Sequence, residues 1–201
     1  MNNKDIFLKT SLKLLDKLKV NHWIINGTLL GIVRDNEQIQ WDNEIDVGVL
    51  NSDLMRDDII SLFSRNDYLL TENNLKSDNI TFKKNDFILD INIFRLEGDL
   101  YKTIWEIDDF SILERIINRF IKFINFIFFQ NFLLIKSKQK KYLGYSIPID
   151  CLFPLFDMKY KDFIVVTPLD SNKTLRHIYG KDWKIPNKKY NWIRDGNNNA
   201  G

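Results

Sequence analysis

The segment Trp41-Asp42-Asn43-Glu44-Ile45-Asp46 concentrates the side chains best able to do chemistry in this chain. From Glu44 to Leu50 the residues alternate, with Glu44, Asp46 and Gly48 on one face and Ile45, Val47 and Val49 on the other. In a strand, Glu44 and Asp46 leave the same face about 7 Å apart at the backbone. Two carboxylates so placed repel each other unless a cation lies between them. Hard oxygen ligands of this kind suit Mg²⁺ or Mn²⁺, with phosphate oxygens completing the shell. Surface strands also carry acidic pairs, so the pair alone leaves both readings open. Two neighbours tip the balance. Gly27-Thr28 follows a short apolar run, where a glycine turn lets backbone N–H groups approach a phosphate. Asp90 falls in a later strand, predicted over Phe87 to Phe94, where a third carboxylate could join the first two. This constellation suits phosphoryl or nucleotidyl transfer, in which metal ions clamp phosphates and a carboxylate activates an incoming hydroxyl.

The elements that must hold these residues can be read from pattern and punctuation. Residues 4 to 20 carry apolar side chains at helical spacing among lysines. His22 to Ile25 reads as a buried strand ending in a turn at Asn26-Gly27, and Thr28 is expected to cap the helix that follows, to Arg34. A helix is expected over 53 to 65, and strand or loop from Asp67 to Leu75. Thr81 to Asp86 is expected to be a hairpin leading into the strand of Asp90. Pro148, Pro154 and Pro168 punctuate short strands that include Phe163 to Val166, and Leu175 to Tyr179 forms a last helix stopped by Gly180. The expected fold is α/β, a mixed sheet carrying the metal site and covered by helices. One domain is expected over 1–195, with 196–201 a disordered tail.

The chain also resembles the LicD/fukutin family. The residues that carry the likeness are Asn26-Gly27-Thr28-Leu29-Leu30-Gly31-Ile32-Val33-Arg34 followed by Ile39-Gln40-Trp41-Asp42-Asn43-Glu44-Ile45-Asp46-Val47. Looser matches follow at Tyr145-Ser146-Ile147-Pro148, at Leu152-Phe153-Pro154, at Thr167-Pro168 and at Tyr179 to Pro186. The resemblance implies a nucleotidyltransferase fold that moves a phosphorylated alcohol, phosphocholine or ribitol phosphate, from a CDP-activated donor to a glycan or lipid-linked glycan, releasing CMP. It implies that Glu44 and Asp46 hold the metal with support from Asp42, that Gly27, Thr28 and Arg34 hold donor phosphates, and that Asp182 and Trp183 belong to the donor site or close the fold. The family usually has three aspartates after the tryptophan, where this chain reads Asp42, Asn43, Glu44. Its further acid falls at position 92, where this chain has Asn92. Asp90, on the same strand face, is expected to complete the site or act as base toward the acceptor.

Composition bounds what remains. A net charge of +2 gives no argument for nucleic acid as a partner. The single cysteine, Cys151, rules out an internal disulfide, fits a reducing compartment and is expected to be a buried thiol. His22 and His177 stand far apart, without metal-ligand spacing. Trp41 could stack on a base, but core packing is the expected role. Ile112 to Ile135 reads as a very apolar helix whose uncharged portion, Phe123 to Ile135, is too short to span a bilayer. With the basic run Lys136 to Lys141 it offers a membrane-surface contact through 112–141. The expected location is cytoplasmic, with peripheral attachment as an option.

Overall fold

A computed structural model of the protein describes residues 2–51, 56–73, 77–107, 141–191 and 195. The expected helix at 112–135, its basic run before Lys141, and the tail 196–201 lie outside the described residues.

Helix α1 (Asn3–Lys17) opens on a capping box, in which Asn2 accepts from the Asp5 N–H while the Asp5 carboxylate accepts from the Asn2 N–H. Strand β1 (His22–Ile24) follows, then α2 (Asn26–Asp35), β2 (Glu44–Leu50) and α3 (Arg56–Ser64). Strands β3 (Leu69–Glu72), β4 (Asn79–Lys84), β5 (Phe87–Glu97), β6 (Leu100–Ile107) and β7 (Lys141–Pro148) come next. The chain continues through a single turn, α4 (Ile149–Leu152), a hairpin of β8 (Leu155–Tyr160) and β9 (Phe163–Pro168), and α5 (Ser171–Tyr179). The expected α/β fold with a mixed sheet is therefore present.

The main sheet runs β1-β2-β5-β4-β3, with β2 and β5 parallel and the other neighbours antiparallel. The far end of β5 leaves this core to pair with β6, and β6 pairs with β7. Strand alternation divides the sheet chemically. Ile45, Val47, Leu89, Ile91, Ile80 and Phe82 are fully buried on one face. There Phe63 of α3 stacks on Phe82, and Phe7 of α1 stacks on Phe87. The opposite face carries Glu44, Asp46, Asp90 and Asn92, so burying the apolar face against α1 and α3 forces the acids out on the other side.

Several expectations need correction. Thr28 does not cap α2. The helix begins at Asn26, in a left-handed conformation (φ 48°), and no side chain caps it. Helix α5 starts four residues before Leu175, because Asp170 accepts from the Lys173 N–H and caps it there. Trp41 is half exposed rather than packed in the core. Strands β6 and β7 were not legible, since Leu100 to Ile107 mixes charged and aromatic residues without a clean alternation. Cys151 is buried, as expected, and burial raises its thiol pKa.

Candidate active site

Strands β2 and β5 lie side by side in parallel register, with Asp46 opposite Asp90 and Gly48 opposite Asn92. On the next strand Thr81 stands opposite Asp90, and Asn79 opposite Asn92. The acids therefore form one strip across adjacent strands. The strip floors a cavity of about 1080 Å³, at the upper end of the range for small-molecule sites. Glu44, Asp46, Asp90 and Asp42 all line it, together with Gly27, Arg34, Asp182 and Trp183.

Asp46 is held from three directions. The Gly27 N–H donates to its Oδ2 (3.1 Å), its own N–H donates to the Thr28 hydroxyl (2.8 Å), and Asn26 bonds its carboxylate. Asn26 is fixed in turn by the buried Tyr145, whose hydroxyl donates to its Oδ1 (2.7 Å). Thr28 is buried and does not line the cavity, so its part is to position Asp46. Gly27 is required by space: a Cβ there would come 2.9 Å from Asp42 Oδ2 and 3.4 Å from Asp46 Oδ2. A second glycine, Gly48, continues the strip, and the indole of Trp23 lies where its side chain would be, at 2.4 Å. Trp23 packs on Phe94 and Phe153 and so seals the strip with an apolar wall.

Asp42 accepts the Glu44 N–H at its Oδ1 (2.9 Å), which turns the chain into β2. Lys4 of α1 donates to the backbone carbonyl of Asp42 (2.8 Å), and its positive charge partly offsets the upward shift of Glu44. Nothing in the sequence pointed to Lys4, because it lies far from the motif and reaches it only through the packing of α1. Arg34 is braced by Asp35 (2.7 Å) at the cavity wall. Lys188 sits 4.8 Å from the centre of the Trp41 ring, linking the segment after α5 to the loop before β2. Tyr145 and Trp105, with ring centres 5.4 Å apart, supply an aromatic wall.

The electrostatics are those of crowded negative charge. Burial, then the charges of Asp90, Asp42 and Glu44, push the Asp46 carboxyl well above its usual range. Glu44 is exposed as a whole residue, yet desolvation on its cavity side and the charges of Asp90 and Asp42 push it up to about 7. Asp90 is pushed up to about 6, chiefly by burial, although the Thr81 hydroxyl donates to it (2.6 Å). Among the described residues, no three Asp, Glu, His or Cys side chains already converge closely enough to enclose an ion. The donor set nevertheless fits a hard divalent cation. Every group is a carboxylate, all line the cavity, and burial with neighbouring negative charge raises the proton affinity of Glu44, Asp46 and Asp90.

A model of the LicD/FKTN/FKRP nucleotidyltransferase domain matches residues 19–170. The chain belongs to this family. Ribitol-5-phosphate transferase FKTN from Macaca fascicularis and from Homo sapiens is 26% identical over 197 residues, covering 93% of this chain and 34% of each relative. The chain thus spans about a third of the length of those relatives. The uncharacterized protein RT0683 of Rickettsia typhi is 32% identical over 95 residues, covering 47% of this chain and 29% of its own. Among solved structures, lincosamide antibiotic adenylyltransferase LnuA with lincomycin bound has a TM-score of 0.49 at 15% identity, over 88% of this chain and 86% of that one. ANT(2")-Ia in complex with adenylyl-2"-tobramycin has a TM-score of 0.40 at 14% identity, over 50% and 55%. The family match takes in Gly27, Arg34, Asp42, Glu44, Asp46 and Asp90, and ends before Asp182 and Trp183.

No helix among the described residues is long and apolar enough to cross a membrane.

Proposed function

We propose that this chain is a transferase that moves a phosphate-linked alcohol, of the phosphocholine or ribitol-phosphate type, from a CDP-activated donor to a glycan hydroxyl and releases CMP. The observation that carries the reading is the in-register strip Glu44–Asp46–Asp90 on the floor of a large cavity, in a chain of the LicD/FKTN/FKRP family. Glu44, Asp46 and Asp90 would hold Mg²⁺ or Mn²⁺, with Asp42 in support. Bound there, the cation supplies neutralisation of phosphate charge.

The chain's own residues do the rest. Asn26, Gly27 and Thr28 fix Asp46 before any substrate arrives. Arg34, held by Asp35, offers a planar two-pronged donor to the donor phosphates. The acceptor hydroxyl attacks the phosphorus that bears the alcohol, the bond from that phosphorus to the bridging oxygen of CMP breaks, and CMP leaves with that oxygen. The hydroxyl proton passes to Asp90, whose carboxylate faces the cavity in register with Asp46. Asp182, Trp183 and Lys188 close the cavity from the C-terminal side and complete the donor site. A membrane-surface contact through 112–141 and a cytoplasmic location belong to the same reading, since a lipid-linked glycan would present its hydroxyls at that surface.

The test is product identity. Protein, Mg²⁺, CDP-ribitol or CDP-choline, and a panel of glycans should yield free CMP and a glycan heavier by the phospho-alcohol. A glycan or protein carrying the nucleotide itself, with pyrophosphate released from CTP or ATP, would overturn the reading.

A further inference from the structure

The hydroxyls and the guanidinium described so far beside the carboxylates each have a partner in the protein. Thr28 accepts the Asp46 N–H, Thr81 donates to Asp90, Tyr145 donates to Asn26, and Arg34 is braced by Asp35. Tyr179 differs. It lines the same cavity, its residue is only partly buried, and its hydroxyl makes no hydrogen bond among the described residues and is not sealed from solvent.

The fold fixes this side chain from two sides. Tyr179 is the last residue of α5, and that helix is anchored by the fully buried Thr174, which donates to the Cys151 carbonyl. His177 bonds the Ser146 carbonyl (2.7 Å), which sets the end of α5 beside Tyr145 on β7. The Tyr179 ring packs against Tyr190, with centres 5.1 Å apart, and Gly180 (φ 83°) stops the helix. The ring is held, and the hydroxyl is left over. A phenol bears charge only on its oxygen, so the charges that oppose its ionisation locate the oxygen rather than the ring. After burial, the first of these is Asp46, and Tyr190, Tyr145 and Asp42 follow. The hydroxyl thus stands near the Asp46 and Asp42 carboxylates, keeps its proton and bonds neither of them.

A protonated hydroxyl there is a donor for an anion brought against the strip. In the transferase reading the reacting phosphorus is drawn to the cation that Asp46 holds. Charge spreads over the non-bridging oxygens of that phosphorus as the acceptor attacks. We propose that Tyr179 is a catalytic residue, whose hydroxyl donates a hydrogen bond to a non-bridging oxygen of the phosphoryl group being transferred. The inference rests on the transferase reading and deepens it. The phenol keeps its proton throughout; it neither attacks the phosphorus nor takes the proton of the acceptor.

The test is Tyr179→Phe, which keeps the ring and its packing on Tyr190 and removes only the O–H. It should melt as the parent does. With whichever of CDP-ribitol and CDP-choline the parent uses, kcat for CMP release should fall about a hundredfold, the scale of one lost donor to a developing oxyanion. KM for the donor should change little. Calorimetry reads the same contact without turnover. In Mg²⁺ and CMP, orthovanadate mimics the five-coordinate phosphoryl group, and its affinity should drop about tenfold to a hundredfold in the variant. CMP alone should bind both proteins equally. Unchanged kcat overturns the assignment, as does a vanadate affinity equal in the two proteins or absent from both, or an equal loss of CMP and vanadate binding. A melting temperature far below that of the parent would show the hydroxyl spent on the fold, and overturns it too. If no CDP-alcohol serves as donor, the transferase reading fails, and the vanadate titration alone decides the part of Tyr179.

Discussion

Two buried acidic regions of this molecule behave in opposite ways. Asp5 is fully buried on α1, yet it accepts from the Gln38 amide (2.9 Å), the Tyr160 hydroxyl (2.8 Å), the Lys161 ammonium (2.8 Å) and the Asn2 N–H (3.1 Å). Burial alone would raise its pKa, but those four donors outweigh it and hold the carboxyl below its usual value. Lys161 also bonds Glu37 (3.0 Å), so the cluster ties α1, the loop after α2 and the β8–β9 turn together. Across the sheet, Asp46, Glu44 and Asp90 are pushed upward chiefly by burial, with the charges of Asp90 and Asp42 adding to Glu44 and Asp46 and those of Glu72 and Asp42 adding to Asp90. The first cluster is finished by the protein. The second is left short of positive charge, and that shortage marks it as a place for something that arrives from outside.

The largest effect expected from breaking this contrast is at Asp46. Asp46→Asn should abolish CMP release, because it removes the central charge of the strip. The same change should leave the metal-free protein folded, since the side chain keeps its shape and an acceptor for the Gly27 N–H. Retained turnover in this variant, or in EDTA, would place the site elsewhere.

Asp5→Ala should act the other way, on stability. Lys161 is a quarter exposed and keeps Glu37, so the cost is that of the buried Gln38 and Tyr160 donors left without an acceptor, about 1–3 kcal/mol each. Denaturant titration should show that loss, while kcat per folded molecule stays near the parent value. A mild effect on stability would mean the cluster is ornamental.

Asp90 comes next. Asp90→Asn should lower kcat by about a hundredfold, the scale of a positioned acid or base. Asn92→Ala should do much less, although Asn92 is buried on the same face one pleat further on. Greater damage from Asn92→Ala would show that the working position is 92 and that Asp90 only supports it.

The smallest effect is the pH profile of stability without metal. Glu44 and Asp90 have folded-state pKa values of about 7 and about 6, above their ordinary values of 4.5 and 3.8. Between those limits the folded state binds more protons, so stability should rise as pH falls from 8 toward 5. Asp5 is shifted downward, so its contribution is present above its ordinary value of 3.8 and is lost as pH falls through its lower folded value. A maximum near pH 4 should result, and Mg²⁺ should raise the melting temperature more at pH 8 than at pH 5. A profile that only falls on acidification would deny the strip its charge crowding.

Much of this site is legible in the sequence. The alternation of Glu44 to Leu50 gave the strand, its face and the acidic pair, because a period of two follows from backbone geometry alone. The hairpin before Phe87 was legible for a similar reason, with Asn85 taking the positive φ (55°) that its type tolerates. The position of Thr28 was misread, since a threonine after Asn-Gly looks like a cap when nothing reveals that its hydroxyl accepts the Asp46 N–H. Trp41 was assigned to the core by its chemistry, but half of it faces solvent beside Lys188.

The sequence by itself determined the residue types, their alternation and their order, and with them the acidic pair, the glycine turn and the family likeness. Those are local properties, set by side-chain period and by backbone freedom at single positions. Only the tertiary structure decided that Asp90 stands opposite Asp46, that Tyr145 holds Asn26 from 119 residues away, and that Lys4 braces the Asp42 turn. Strand order and register depend on which apolar faces bury one another across the whole chain. No local pattern encodes them, because each is settled by the sum of contacts rather than by any one residue.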